Sequence, residues 1–168
     1  MSTNRYSLAD YELAVEIPSS VATTLGVTDN VIIIGGPGSS PNTNDNLGSF
    51  VGTITVSRSN DLWSTEGDAT GSWVHNKNLN RTGTCSVSLR QVSDKIITFA
   101  QLCTAYETIQ DASAGLTLTV RATNGSGDIA VCNDCYITKM PDQNFGETAE
   151  MQTWTFTCGQ VIYVGSKK

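Results

Sequence analysis

Alternating apolar and polar residues dominate this chain and predict β-strands. Residues 11–17 alternate large apolar side chains with Glu or Ala. The same period of two recurs at 50–56, 84–90, 116–121 and 151–158. Because successive side chains of a strand point to opposite faces, this period indicates strands with one buried face. The short apolar run 31–34 and the segments 128–139 and 160–164 add further strands, which gives about eight or nine.

Two details of the strand pattern bear on the structure. In the strand around residue 54, Gly52, Ile54 and Val56 are predicted to share one face, with Val51 on the other. Pro18, followed by two serines, is predicted to end the first strand.

A single segment has helical periodicity. Ile96, Phe99, Ala100 and Cys103 lie at i, i+3, i+4 and i+7, which forms one apolar stripe on a helix. The preceding Ser93 or Asp94 is a suitable N-cap, because a short side-chain oxygen accepts from the free N–H groups of the first turn. We therefore expect one α-helix at about 94–106, packed across a sheet or at the end of a barrel.

Two polar segments interrupt the strands. Residues 35–49 are rich in Gly, Pro, Ser and Asn and have too little apolar content to pack. Such a segment is either a mobile surface loop or a loop that orders against a neighbouring subunit. Trp63 and Trp73 flank a second, turn-rich segment, which predicts a hairpin at about 58–76. The whole chain, 1–168, is then a single mainly β domain, a β-sandwich or barrel with one flanking helix.

Composition adds a weak indication of assembly. Only 15% of the residues are charged, and Thr, Ser, Asn and Gly take their place. A surface poor in charge is less protected against association. The net charge of −6 and the scattered basic residues argue against tight binding of nucleic acid. No signal peptide or bilayer-spanning run is recognisable, so we expect cytoplasmic synthesis and five reduced cysteines.

Catalytic and metal-binding motifs are weak. His75 is the only histidine, and no nucleophile motif surrounds it. Cys132 and Cys135 have the C-x-x-C spacing, but a zinc site needs two more ligands and a redox pair needs a strand-to-helix turn. Residues three apart on a regular strand also face opposite ways unless a bulge intervenes. We therefore expect packing cysteines, no enzyme, no metal and no cofactor.

Two binding hypotheses stay open at this point. Asp61, Glu66 and Asp68 suggest calcium, although their spacing does not match an EF-hand. The tryptophans 63, 73 and 154 are candidates for a sugar platform, although large aromatic residues in β proteins are more often core or interface anchors. The alternative function is therefore a monomeric β-sandwich binding module, either an adhesin or a carbohydrate-binding domain.

The order of several short motifs resembles a bacteriophage tail tube family over about residues 50–158. The motifs are Asp61-Leu-Trp63, Gly67-Asp68, Asn78-Leu-Asn-Arg-Thr-Gly83 before a strand and helix, Ile137-Thr-Lys-Met-Pro-Asp142, Phe145, Glu147 and Trp154-Thr-Phe156. The N-terminal third departs from the family pattern, mainly at the loop 35–49.

The resemblance implies a structural virion protein, related in fold to type VI secretion tube proteins. Such subunits form hexameric rings that stack into a hollow tube, through which DNA passes without specific binding. Implied partners are copies of the chain and the tail sheath, tape measure, baseplate and tail terminator proteins. The resemblance also implies a contractile tail, assembled in the host bacterial cytoplasm, and the acidity of the chain suggests an acidic lumen.

Inter-subunit contacts are expected in the polar loop and the hairpin. The candidate contact residues are Pro37, Pro41, Asp45, Asp61, Trp63, Glu66, Asp68 and Trp73.

Overall fold

The computed structural model describes residues 10–26, 30–35, 51–109, 115–122 and 127–164. Within these ranges the chain forms nine strands and two helices. In chain order they are β1 (Tyr11–Glu16), α1 (Ser19–Leu25), β2 (Val31–Gly35), β3 (Val51–Arg58), β4 (Trp63–Gly67), β5 (Trp73–Lys77), β6 (Gly83–Arg90), α2 (Asp94–Thr108), β7 (Leu116–Ala122), β8 (Gly127–Lys139) and β9 (Met151–Tyr163). The predicted mainly β class and strand number are confirmed.

Seven strands form one antiparallel sheet in the order β2-β1-β7-β8-β9-β6-β3. Among the residues that the structure describes, strands β4 and β5 pair with each other alone and form a separate two-stranded sheet. No ladder joins β2 to β3 within the described residues. The large sheet is therefore open, with β2 and β3 at its edges, and is not a closed barrel.

The core lies between one face of the large sheet and the helices. Phe99 of α2 packs against Trp154 and Phe156 of β9, with ring centroids 5.4 and 5.6 Å apart. These three aromatic side chains are fully buried, as are Leu102 of α2 and Val87 of β6. Because burial of large apolar side chains is the dominant stabilising contribution to folding, this contact between α2 and the sheet anchors the domain.

Helix α2 confirms the predicted helix and extends it to Thr108. Ser93 is its N-cap and accepts a hydrogen bond from the Lys95 amide at 3.3 Å. The buried positions centre on Phe99, Leu102 and Ala105, so the helix face is rotated slightly from the predicted stripe.

The sequence pattern did not predict the second, shorter helix, α1. The carbonyl of Pro18 accepts hydrogen bonds from the amides of Val21 and Ala22, which turns the chain out of β1 into a helix. Gly26 ends the helix with φ +70°, a conformation that costs glycine little. Seven residues with two buried positions are too few to show a helical period.

A β-bulge in β3 overrides the predicted alternation. Val51 lies opposite Leu89 and Ile54 lies opposite Val87, so β3 uses one more residue than β6 over this step. Val51 therefore packs against the core together with Ile54, contrary to the prediction that the two side chains lie on opposite faces of the strand.

Gly83 begins β6 at a point where the backbones approach closely. A Cβ at this position would lie 2.2 Å from the Ser57 carbonyl oxygen and 2.7 Å from Val161. We expect Gly83→Ala to lower the free energy of unfolding by about 1–3 kcal/mol, the usual cost of overpacking. Gly67→Ala is the matched control, because its nearest neighbour would be 3.7 Å away. Urea denaturation measures both, and equal losses would contradict the steric explanation.

Candidate assembly surfaces

The β4–β5 hairpin buries none of its strand residues. All five residues of β4 and all five of β5 are exposed. An isolated two-stranded hairpin is marginally stable in water, so a surface of this kind needs either strong internal bonding or a partner.

Internal bonding of the hairpin is well developed. Trp63, Thr65 and Gly67 face Lys77, His75 and Trp73 across the two strands in register. The Thr65 hydroxyl and the His75 Nδ1 lie 2.8 Å apart, and the Lys77 ammonium lies 5.6 Å from the centre of the Trp63 ring. His75 is thus an exposed strand residue within hydrogen-bonding distance of its cross-strand neighbour.

The tip of the hairpin is organised by Asp68. Its carboxylate accepts hydrogen bonds from the Thr70 amide at 2.8 Å, the Thr70 hydroxyl at 2.6 Å and the Ser72 amide at 3.0 Å. Gly71 has φ +89°, which the turn requires. The Asp68 carboxylate is therefore engaged by the turn itself, and it acts as a structural group there.

This arrangement predicts a pH-dependent hairpin tip. Hydrogen bonds from the Thr70 hydroxyl, and then from the Ser72 and Thr70 amides, lower the pKa of Asp68 below its ordinary 3.8. The depressed pKa means that the stabilisation is complete above the ordinary pKa and is lost as the pH falls through the folded-state value. We expect the Thr70 amide resonance to shift in that acid range in an NMR titration. The control is Asp68→Asn, which should already show the low-pH shift at neutral pH.

Large apolar side chains are exposed on this hairpin. Trp73 is 71% exposed, Trp63 54%, Val74 53% and the adjoining Leu62 48%. Exposed aromatic residues of this size are typical of protein interfaces. Trp63 and Trp73 lie on the same face of the hairpin but at opposite ends.

The candidate sugar platform of three tryptophans is not formed. Trp154 is fully buried in the core against Phe99, so it cannot join Trp63 and Trp73 at a sugar site. The structure does bring five candidate contact residues together on or beside the hairpin: Asp61, Trp63, Glu66, Asp68 and Trp73. The other three, Pro37, Pro41 and Asp45, lie with most of the loop 35–49 outside the described residues.

Serine and threonine side chains form a regular array on the face of β3, β6 and β9 that points away from the core, and we call this array the hydroxyl grid. The grid has three rows that run across the strands: Thr55–Ser86–Thr155, Ser57–Thr84–Thr157 and Ser88–Thr153. Thr138 of β8 extends the second row through a hydrogen bond between its hydroxyl and that of Thr157. Neighbouring hydroxyls are hydrogen-bonded, as in Ser57–Thr84 at 3.1 Å and Ser88–Thr153 at 3.2 Å. All nine side chains are exposed or half-exposed.

The two edges of the large sheet are a further assembly surface. Strands β2 and β3 each have one paired neighbour within the described residues. An unpaired edge exposes backbone N–H and C=O groups that can pair with a strand of another chain.

Four of the five cysteines meet in the core, a result that the sequence did not predict. Cys85, Cys132, Cys135 and Cys158 are at most 1% exposed. The pairing of β7 with β8 shifts register between Leu116 and Leu118, and Asp134 has φ +54°. This bulge turns Cys132 and Cys135 to the same face, where regular strand geometry would have separated them.

These thiols lie close enough to perturb one another's ionisation. The neighbouring Cys132 thiol, and then burial, raise the pKa values of Cys85 and Cys158. The Cys158 thiol donates a hydrogen bond to the Phe156 carbonyl, with 3.7 Å between sulfur and oxygen. Among the described residues, no set of three or more His, Cys, Asp or Glu side chains is arranged to hold a metal ion.

Thiol reactivity tests this burial. Cys103 is the one half-exposed cysteine, and all five are free. We expect a disulfide-exchange reagent such as DTNB to react with one thiol per native chain and with all of them in denaturant, since buried thiols are inert. Cys103→Ser should reduce the native count to zero. A fast reaction of several native thiols would contradict the packed cluster.

No helix in the described part of the chain is long and apolar enough to cross a membrane.

The family model described as "Bacteriophage PhiTE tail tube protein" matches residues 22–165. No curated protein matches the sequence. A solved structure titled "Cryo-EM Structure of an Extracellular Contractile Injection System, PVC sheath-tube complex in extended state" is similar in fold, with TM-score 0.50 and 13% identity over 94% of this chain and 90% of the other. Another, titled "Cryo-EM structure of the anti-feeding prophage (AFP) baseplate, 6-fold symmetrised", has TM-score 0.50 and 10% identity, with complete coverage of both chains.

Proposed function

The chain belongs to the bacteriophage PhiTE tail tube protein family, and from this premise we propose that it assembles with copies of itself into hexameric rings that stack into a hollow tube. The tube conducts DNA during ejection into the host. The subunit acts as a structural element of the virion tail, without catalysis and without a cofactor.

The exposed β4–β5 hairpin is the observation that carries this proposal. It projects Trp63 and Trp73 into solvent and buries none of its strand residues in the monomer. A neighbouring copy that covers this surface would remove two indole rings from water, and each aromatic residue of this kind buries about 150–250 Å². We assign the hairpin to the contact between stacked rings. We also propose that the loop 35–49 takes part in this contact.

Ring closure is assigned to the open edges of the large sheet. A head-to-tail contact between identical chains closes into a ring when its rotation permits, whereas stacking continues without limit. Pairing β3 of one subunit with an edge strand of the next would satisfy the exposed backbone groups and leave no free edge on which aggregation can begin.

Partners of the tube follow from the family and from the fold. Sheath, baseplate and tail terminator proteins are proposed to bind the assembled tube, and a tape measure protein to occupy it before DNA does. The similarity in fold to a chain of a sheath-tube complex and to a chain of a baseplate supports this part of the proposal. The proposed tail is contractile and is assembled in the cytoplasm of the bacterial host.

Electron microscopy of the purified protein, together with sedimentation velocity, tests this function. We expect six-fold rings and hollow tubes whose number grows with protein concentration. A protein that stays monomeric at high concentration, even with its tail partners, would contradict the proposal. If that monomer bound glycans through Trp63 and Trp73, the alternative binding-module function would replace it.

A further inference from the structure

The hydroxyl grid is an extended surface made only of uncharged side chains. Its nine side chains are all Ser or Thr, although the chain as a whole carries 26 charged residues, 10 basic and 16 acidic. Two charged strand residues border the grid. Arg90 lies at the end of β6 opposite Met151, and Lys139 lies at the end of β8 opposite Thr155. The Lys139 ammonium is 3.9 Å from the Asp142 carboxylate, which offsets its charge.

On β3, β6 and β9 the grid lies on the side of the sheet opposite the helices, whereas Thr138 on β8 borders a cavity that Cys103 and Tyr106 of α2 also line. On β6 and β9 the alternate residues, including Val87, Trp154 and Phe156, face the core and α2. The grid residues between them face solvent, so the two faces of the same strands differ completely in chemistry.

We propose that the hydroxyl grid lines the lumen of the tube and gives the DNA channel an uncharged wall. This inference rests on the proposed function and specifies the surface that DNA would meet. It also replaces the acidic lumen suggested by the overall charge with a neutral one.

A neutral hydroxyl wall suits the passage of a polyanion. Tight binding of DNA requires Lys or Arg, since affinity comes largely from the counterions released when phosphates are neutralised. Serine and threonine provide no such charge. Where two hydroxyls bond to each other, as Thr138 and Thr157 do at 2.6 Å, their capacity to bond a phosphate is partly used already.

The shape of these side chains supports the same role. Serine and threonine are short, and threonine is stiff about χ1 because it is branched at Cβ. The grid itself holds no long, flexible side chain that would narrow the channel, and the long side chains of Arg90, Met151 and Lys139 lie only at its borders. Neither the apolar hairpin surface nor the unpaired strand edges have these properties.

The test places a single charge on each side of the sheet. Ser86→Lys puts a cation in the central row of the grid, two strands away from Lys139. Thr55→Lys repeats the change at the neighbouring position of the same row, so that the test survives if one variant fails to fold. Thr104→Lys is the control, with the same cation on the exposed face of α2. Tubes of each variant are assembled with a short fluorescent DNA duplex at low salt, and the DNA that survives nuclease treatment is then measured.

We expect tubes of the two grid variants to protect at least about tenfold more DNA than wild-type tubes, with protection that falls steeply as salt rises. Tubes of the Thr104→Lys variant should bind DNA on the side of the sheet that carries α2, outside the lumen, so the nuclease should digest this DNA fully. The inference is overturned if the grid variants protect no more DNA than wild-type tubes, which would place the grid outside. It is equally overturned if they stay folded by circular dichroism but form no tubes, which would place the grid in a contact. If wild-type protein forms no tubes, the proposed function itself fails.

Discussion

Replacing Trp63 and Trp73 together with serine is expected to abolish tubes while leaving a folded subunit. Both indoles are more than half exposed, so their loss should change the free energy of unfolding by less than about 0.5 kcal/mol, as for most surface substitutions. At an interface the same residues would act as hot spots, each worth about 2 kcal/mol or more. Because every copy in the tube repeats the contact, the loss of affinity is multiplied along the assembly.

Electron microscopy and urea denaturation of the same preparation separate these two effects. Phe145→Ser is the matched control, since Phe145 is 88% exposed and lies outside the hairpin. It should form normal tubes. Double-variant protein that still forms tubes of unchanged salt and temperature stability would remove the hairpin from the ring–ring contact.

The second large effect is expected in the core, at Trp154. This side chain is fully buried and packs on Phe99. Trp154→Ala should lower the free energy of unfolding by about 3–5 kcal/mol, because it leaves a cavity between α2 and β9. That is a large share of the total stability of a domain this size.

The conservative variant Trp154→Phe separates the aromatic packing of Trp154 from the cost of its unpaired N–H donor. The indole N–H of Trp154 is buried and has no hydrogen-bond partner within the described residues. Phenylalanine keeps a ring against Phe99 and removes this unsatisfied donor, so its cost should be less than half that of alanine. Urea midpoints measure both variants. Equal costs would mean that the aromatic contact contributes little.

Local sequence patterns were sufficient for much of the fold. The alternation at 84–90 and 151–158 correctly predicted β6 and β9 with their buried faces. Ser93 and the apolar positions that follow correctly predicted α2. The two tryptophans and the Gly–Asp turn predicted the β4–β5 hairpin. Each of these features depends on residues that are near one another in the sequence.

Local patterns failed where an irregularity of the backbone decides which face of a strand a side chain occupies. The bulge beside Val51 and the positive φ of Asp134 each shift the alternation of a strand. The effect is largest at Cys132 and Cys135, which share a face only because β8 bulges between them. A bulge is set by the pairing partner as much as by the bulged residues, so their sequence alone does not reveal it.

The sequence by itself determined that this protein is mainly β, with one long amphipathic helix and a hairpin flanked by two tryptophans. Only the tertiary structure decided which strands are neighbours. The order β8-β9-β6-β3 brings four distant cysteines into one core cluster and aligns serines and threonines into the hydroxyl grid. The physical reason is that side-chain periodicity fixes which face of each strand is buried, whereas strand order is fixed by pairing and packing between segments that are far apart in the sequence.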